Sequence, residues 1–215
     1  MDGLLNIARN YVLVKDISNL IDFDTVTKNV DELKLSKNLK NSITETKNMC
    51  AEPEFQELGR ILKDESVAFL RNFYMQDPAI SFEDLQVSES WANLSLKGEE
   101  HHIHEHPFSI VSGVLFLDDT PDNLNLTFET HPLQIPFWKE SDKAYISLRN
   151  LTGGEDNLYR HLILFISSVG HYVSPVENDI PRRSIAFNTF WKGKVGKQFI
   201  EVPELDDDRT SIGFR

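Results

Sequence analysis

The sequence has one cysteine, Cys50, in 215 residues, and this scarcity excludes two ways of stabilising a domain. A single thiol cannot form an intramolecular disulfide, and it cannot build a zinc site from several cysteines. A chain of this length must therefore rely on a hydrophobic core, and its hydrophobic content of 40%, with fourteen phenylalanines, is enough to build one. We expect a single folded domain in a reducing compartment.

Positive charge is also scarce, because 22 Lys and Arg stand against 34 Asp and Glu, a formal net charge of −12. A surface of this sign repels phosphate backbones, so we do not expect nucleic-acid binding. No apolar run approaches the roughly twenty residues that cross a bilayer. The first residues lack the basic segment and apolar core of a signal peptide. These absences predict a cytoplasmic protein without a membrane partner.

The sequence changes in character near residue 80. The first part contains a strand-like piece at Tyr11–Val14 and a Lys/Asn/Thr-rich stretch at Leu33–Asn48, which we expect to be helical or loop-like. Apolar residues spaced three and four apart then follow from Phe55 to Phe73. The last pattern predicts an amphipathic helix ending near Met75. After residue 80, short β-branched and aromatic runs alternate with turn residues, which is typical of an antiparallel β sandwich or jelly roll. The predicted parts of this single domain are residues 1–80 as a helical and mixed support region, 81–200 as the β core and 201–215 as a C-terminal tail.

Four of the seven histidines crowd into residues 101–106. On an extended strand His102, His104 and His106 share one face, and two imidazoles separated by one residue can converge on one metal ion. His171 follows a later predicted strand and is the candidate third ligand. A solvated histidine-rich loop and a structural His171 are the alternatives that these residues leave open.

Eleven residues after His171 comes a candidate anion site at Arg182 and Ser184. On a strand these two side chains share a face. A guanidinium binds a carboxylate through two charge-assisted hydrogen bonds, and the hydroxyl adds another donor. The alternative is an arginine paired with one of the many acidic side chains of the surface.

Taken together, these segments resemble the 2-oxoglutarate/Fe(II)-dependent oxygenase superfamily, in particular a group of oxygenases found in phages and bacteria. The resemblance extends from about Trp91 to Trp191 and does not reach residues 1–80. The matching segments are Trp91–Asn93, His104–Val114, Leu164–Pro175 and Arg182–Asn188.

The resemblance implies a mainly β protein, a double-stranded β-helix (jelly roll) with flanking α-helices. It implies Fe(II) held by His104, His106 and His171, with 2-oxoglutarate as cosubstrate. Arg182 and Ser184 would bind the distant carboxylate of 2-oxoglutarate. The implied activity is that of a dioxygenase, in which decarboxylation to succinate is coupled to oxidation of an unknown primary substrate.

The sequence departs from the family pattern at two positions. The usual metal triad contains two histidines and one carboxylate, and His106 stands at the position of the carboxylate. Glu105 does not replace it, because on a strand it faces away from His104. Ile166 stands where this group commonly has proline. Two further roles stay open: His102 could replace His106 as a ligand or support the ligands, and Asn93 could contact the cosubstrate.

Two rival functions fit parts of the same pattern. A cupin-type dioxygenase would hold iron with three histidines and use no 2-oxoglutarate, but it has no need of Arg182 and Ser184 after His171. A non-catalytic metal-binding β module would hold zinc in a closed site.

The primary substrate is not readable from this sequence, and a homodimer is left open. If the protein is encoded by a phage, its compartment is the host cytoplasm. We expect the loops that select the substrate to lie between Phe128 and Tyr159, a segment that contains Trp138, Tyr145 and Gly153-Gly154.

Overall fold

The computed structural model describes residues 10–75, 81–130, 144–152 and 156–192, and within these ranges it contains two antiparallel sheets. The α-helices are α1 (Phe23–Asp31), α2 (Gln56–Phe73) and α3 (Leu148–Leu151). The strands are β1 (Val12–Asp16), β2 (Leu35–Lys37), β3 (Ser42–Thr44), β4 (Leu85–Ser95), β5 (His101–His104), β6 (Val111–Phe116), β7 (Leu126–Thr130), β8 (Ala144–Ser147), β9 (His161–Ile166), β10 (His171–Val173) and β11 (Arg182–Trp191).

The strands after residue 80 alternate between the two sheets. The larger sheet has the order β1-β9-β6-β11-β4-β3-β2, and the smaller has the order β5-β10-β7-β8. The chain therefore crosses from one sheet to the other at most of its turns, which closes the eight strands β4–β11 into a double-stranded β-helix. The predicted fold class is confirmed.

The segment before residue 80 contributes three strands to the larger sheet. β1 pairs with β9, with Leu13 opposite Leu164, and confirms the strand-like piece predicted near Tyr11. The Lys/Asn/Thr-rich stretch expected to be helical or loop-like instead forms the β2–β3 hairpin, whose second strand pairs with β4. The prediction was wrong because the alternating pattern there is too short to stand out without the β4 edge beside it.

Helix α2 covers one side of the larger sheet. It begins at Gln56 and ends at Phe73, two residues before the end predicted near Met75, and Tyr74 N–H donates to the Leu70 carbonyl at its end. Its buried face packs into the same apolar cluster as Leu85 of β4 and Phe187 of β11. No helix within the described ranges has both the length and the apolar character that crossing a membrane requires.

The space between the two sheets is closed by a second apolar cluster, which includes Phe116, Phe128 and Phe165. Phe165 also contacts the ring of His171, at 4.6 Å between centroids. This cluster therefore forms an apolar wall next to the histidines of β5 and β10.

Candidate functional site

Three of the predicted site residues meet where β5 and β10 pair. His171 lies directly opposite His104 in the register of these strands, and His106 follows β5 after two residues. One ring nitrogen from each of the three histidines lies within 4.8 Å of the others. His171 is 4% exposed, so its imidazole is held firmly in the wall of the site.

The β5 strand carries an irregularity that changes which histidines face the site. His171 and Val173 of β10 are two residues apart, but their partners His104 and His101 are three apart. Such a bulge reverses the alternation of side chains. His101 therefore lines the pocket with His104, and the expectation that His102 shares this face is wrong, since His102 is exposed and outside the pocket lining.

Two of the histidines are held in the tautomer that suits a metal ligand. His104 Nδ1 lies 2.9 Å from the His102 carbonyl oxygen, and His171 Nδ1 lies 2.9 Å from the Val169 carbonyl oxygen. A carbonyl only accepts, so each Nδ1 carries the proton and each Nε2 keeps a lone pair. Burial lowers the pKa of both imidazoles, and that of His171 falls well below its usual value. Neutral imidazoles of this kind fit a divalent metal ion.

His106 has a different environment. Its backbone N–H donates to the Ser167 carbonyl at 3.0 Å, and its Nδ1 lies 3.3 Å from Nδ2 of Asn188. Burial, with a smaller effect of His104, lowers the pKa of His106 to about 3, so this imidazole is also neutral. The indole of Trp91 packs at 5.9 Å from its ring.

The other end of the pocket contains a buried guanidinium. Arg182 is 4% exposed, and its Nη1 donates to the carbonyl oxygens of Ser174 at 3.1 Å and Asp122 at 3.4 Å. Burial lowers the pKa of Arg182 to about 10, an effect that the Asp122 charge opposes, and the group stays cationic at neutral pH. Among the described residues no carboxylate lies within salt-bridge distance of it. A buried cation with only carbonyl partners is suited to receive an anion.

Polar side chains of β4 and β11 line the same pocket as Arg182. The β4–β11 register sets Ser95 opposite Arg182 and Asn93 opposite Ser184, and all four side chains line the same pocket. Asn93 Nδ2 donates to Ser184 Oγ at 3.5 Å, whereas the buried Oδ1 of Asn93 has no hydrogen-bond partner. A buried polar atom without a partner is suited to a ligand group.

The structure therefore brings together the five side chains that the resemblance assigns to the metal and the cosubstrate: His104, His106, His171, Arg182 and Ser184 line one pocket. Sequence reasoning missed His101, Ser95 and Asn188. The alternation of β4 after Trp91 gave a signal for Ser95, whereas the bulge that turns His101 inward has no such signal. Trp138, Gly153 and Gly154 of the expected substrate loops lie outside the described residues, as does the C-terminal tail.

A family model described as "Putative 2OG-Fe(II) oxygenase" matches residues 89–188, which include the histidines and Arg182. Among the curated proteins, none matches this chain in sequence. The matched segment begins on β4 and ends on β11, so it contains the eight-stranded core with both ends of the pocket.

Solved structures of low sequence identity share the fold. HygX from Streptomyces hygroscopicus, solved with nickel and 2-oxoglutarate bound, aligns with a TM-score of 0.57 at 12% identity over 83% of this chain and 82% of its own. The non-heme alpha ketoglutarate dependent epimerase SnoN from nogalamycin biosynthesis aligns at 0.60 and 12% identity over 94% and 93%. A prolyl-4-hydroxylase from Pseudomonas putida aligns at 0.51 and 14% identity over 85% and 93%. These likenesses show the fold.

Proposed function

Because a family model described as "Putative 2OG-Fe(II) oxygenase" matches residues 89–188, we propose that this chain is an oxygenase that couples the decarboxylation of 2-oxoglutarate to the oxidation of a second substrate. One oxygen atom of O2 enters the new carboxylate of succinate, carbon dioxide leaves, and the other oxygen atom oxidises the substrate. HygX binds 2-oxoglutarate and a metal on the same fold, and SnoN depends on the same cosubstrate, which supports this choice.

The metal would be held by His104, His106 and His171. The Nε2 lone pairs of His104 and His171 are fixed by the carbonyls that their Nδ1 protons meet, so these two residues need no rearrangement to bind a cation. Bound iron would supply the redox chemistry with dioxygen. The protein would position the reactants and keep water from the reacting centre with the apolar wall around Phe165.

The cosubstrate would lie between the histidines and Arg182. Arg182 would form a charge-assisted pair with the distant carboxylate, and Ser184 would donate a further hydrogen bond. Because this guanidinium is already desolvated, it loses no further hydration when the carboxylate binds. Asn93, which lines the same pocket opposite Ser184, would also contact the cosubstrate.

The single observation that carries this proposal is a buried cation that has no carboxylate partner among the described residues and lies in the same pocket as three clustered imidazoles. A three-histidine cupin-type dioxygenase accounts for the imidazoles but leaves the buried charge of Arg182 unexplained. A closed zinc module leaves both Arg182 and the partnerless Asn93 Oδ1 unexplained. The 2-oxoglutarate oxygenase accounts for all three features.

The test is succinate formation by anaerobically purified protein given Fe(II), 2-oxoglutarate and oxygen without added substrate. We expect slow uncoupled succinate formation by the wild type and none by His171→Ala. Protein that binds metal but neither binds 2-oxoglutarate in calorimetry nor forms succinate would overturn the proposal in favour of a cupin-type or non-catalytic site.

Arg182→Met separates the two ends of the pocket. The variant removes the cation but keeps an unbranched apolar side chain, so we expect it to retain metal and to lose affinity for 2-oxoglutarate by about 2–5 kcal/mol, as for the loss of one partner of a buried charge pair. Arg183→Met is the matched control, because Arg183 points to the opposite face of β11 and pairs with Asp118. Unchanged 2-oxoglutarate affinity in Arg182→Met would contradict the placement of the cosubstrate.

A further inference from the structure

The third histidine of the candidate metal site is held by a chain of hydrogen bonds that leads away from the site. Asn188 is 3% exposed, and its Nδ2 lies 3.3 Å from Nδ1 of His106 and 2.9 Å from Oε2 of Glu89. Its Oδ1 accepts from Ser112 Oγ at 2.7 Å. Each polar atom of the Asn188 amide therefore has a partner.

The Glu89 carboxylate determines which way this amide faces. A carboxylate only accepts hydrogen bonds, so the amide atom next to it must be the NH2 group. Rotating the amide by half a turn would bring Oδ1 against Glu89, with two acceptors in contact. The second N–H of Asn188 is then directed to His106 Nδ1, which must accept it.

An accepting Nδ1 means that the neutral His106 carries its proton on Nε2. His104 and His171 have the opposite arrangement, because their Nδ1 atoms donate to the carbonyls of His102 and Val169. The three imidazoles of the cluster therefore do not present the same nitrogen. His104 and His171 offer a lone pair at Nε2. His106 offers its lone pair only at Nδ1, and that lone pair already accepts a hydrogen bond from Asn188.

We propose that Glu89, acting through Asn188, is a positioning residue that holds His106 in the tautomer opposite to that of His104 and His171, and so makes His106 a conditional ligand of the metal. The consequence for metal binding rests on the proposed function, whereas the hydrogen bonds and the tautomer do not depend on it. Coordination through Nε2 requires the proton to move to Nδ1 and the Asn188 amide to rotate away from its present contacts. Coordination through Nδ1 requires the same amide to leave.

This arrangement also relates to the carboxylate that the family pattern has in place of His106. In this chain the negative charge is carried by Glu89 of β4, which is separated from His106 by the side-chain amide of Asn188. It polarises the imidazole through two hydrogen bonds rather than neutralising a cation by contact. Removing charge at Glu89 and changing the tautomer of His106 should therefore have opposite effects on metal affinity.

The tautomer can be read directly from the metal-free protein by long-range 15N–1H correlation NMR of the histidine rings. We expect His104 and His171 to carry the proton on Nδ1 and His106 to carry it on Nε2. A proton on Nδ1 of His106 in the wild type would overturn the proposal, whether or not the protein proves to be an oxygenase.

The decisive variant exchanges the two groups, as Glu89→Gln combined with Asn188→Asp. The exchange conserves net charge, but the carboxylate introduced at position 188 would accept from His106 Nδ1–H, from Ser112 and from the amide introduced at position 89. We expect the His106 proton to move to Nδ1 and Co(II) to bind about tenfold more tightly, the size of effect that residues behind a metal ligand have. In a His106→Ala background the same exchange should leave Co(II) affinity within about threefold.

Equal tightening with and without His106 would show a plain charge effect and would overturn the proposal. Glu89→Gln alone removes the charge without the exchange, and Glu54→Gln is its control, since Glu54 is exposed in the short 3-10 helix before α2. A failure of 2-oxoglutarate to bind any of these proteins would count against the proposed function alone, because neither the NMR assignment nor the Co(II) titration uses the cosubstrate.

Discussion

At the scale of single residues, two adjacent arginines show how burial separates a binding group from a structural one. Arg183 forms ion pairs with Asp118 and Asp31, and the hydrogen bonds that it donates to Asp118 raise its pKa above the usual value. Arg182 points to the other face of β11, and its hydrogen-bond partners within the described ranges are two backbone carbonyls. The alternation of the strand, rather than the residue type, therefore decides which arginine is available to a ligand.

The lone cysteine gives a prediction at the same scale. Cys50 is buried beneath β4, and desolvation raises the pKa of its thiol to about 11, an effect that a hydrogen bond with Ser90 reduces. In the unfolded chain the Cys50 thiol has its usual pKa of 9.0. Between these two values the unfolded state binds fewer protons, so stability falls with rising pH by about 1.4 kcal/mol per pH unit from this group.

Urea unfolding of the wild type and Cys50→Ala, from pH 8 to pH 11, measures this contribution. We expect the wild type to lose more unfolding free energy than the variant as pH rises above 9, whereas other titrating groups affect both proteins equally. Parallel curves for the two proteins would show that the thiol ionises equally well in both states.

At the scale of elements, the close approach of β6 and β11 depends on one glycine. Gly113 lies opposite Phe187, and a Cβ at this position would lie 2.3 Å from Cε1 of that ring and 2.9 Å from Cδ2 of Leu164. Phe187 is 1% exposed, so its ring is enclosed by the core. A methyl group here must push apart two strands that also carry the pocket.

We therefore expect Gly113→Ala to lower the unfolding free energy by about 1–3 kcal/mol, as for overpacking of a well-filled core. Gly170→Ala is the comparison, because its Cβ would meet its nearest neighbour at 3.4 Å, a much milder contact. Midpoints of urea unfolding measure both. Recovery of stability in Gly113→Ala with Phe187→Leu would identify the ring as the cause, and equal stability of the two glycine variants would contradict the explanation.

At the scale of the whole molecule, the pocket joins both sheets of the fold. The histidines come mainly from the smaller sheet, and Arg182, Ser184 and Asn93 come from the larger one. A ligand that reaches from the metal to Arg182 would therefore connect the two layers and stabilise the folded chain as one unit.

This connection predicts a thermal shift that needs two ligands. With Mn(II) present, 2-oxoglutarate at about a hundred times its Kd should add about 2.7 kcal/mol of stability, which for a chain of this size raises Tm by about 5–10 °C. Without metal the shift should be much smaller, because the histidine end of the ligand has no partner. Succinate, which retains the distant carboxylate but lacks the keto acid, is the control. Equal shifts with and without Mn(II) would show that the cosubstrate does not contact the metal.

Much of this protein is determined by local sequence. The spacing of apolar residues predicts α2 to within two residues, because an amphipathic helix needs no distant partner to define its period. The alternation of an extended strand groups His104 with His106 and Arg182 with Ser184, and the resemblance to the oxygenase family implies that both pairs and His171 form one site.

Tertiary structure decided the features that depend on a neighbouring strand. The β2–β3 hairpin exists because β4 offers an edge, and the bulge between β5 and β10 turned His101 rather than His102 toward the pocket. The orientation of His106 depends on Glu89 and Asn188, which are 17 and 82 residues away in the chain. The sequence alone pointed to the three histidines and to Arg182 with Ser184. The pairing of distant strands decided which further groups join them and which of their atoms meet, since register is a property of the strand pair and not of either strand.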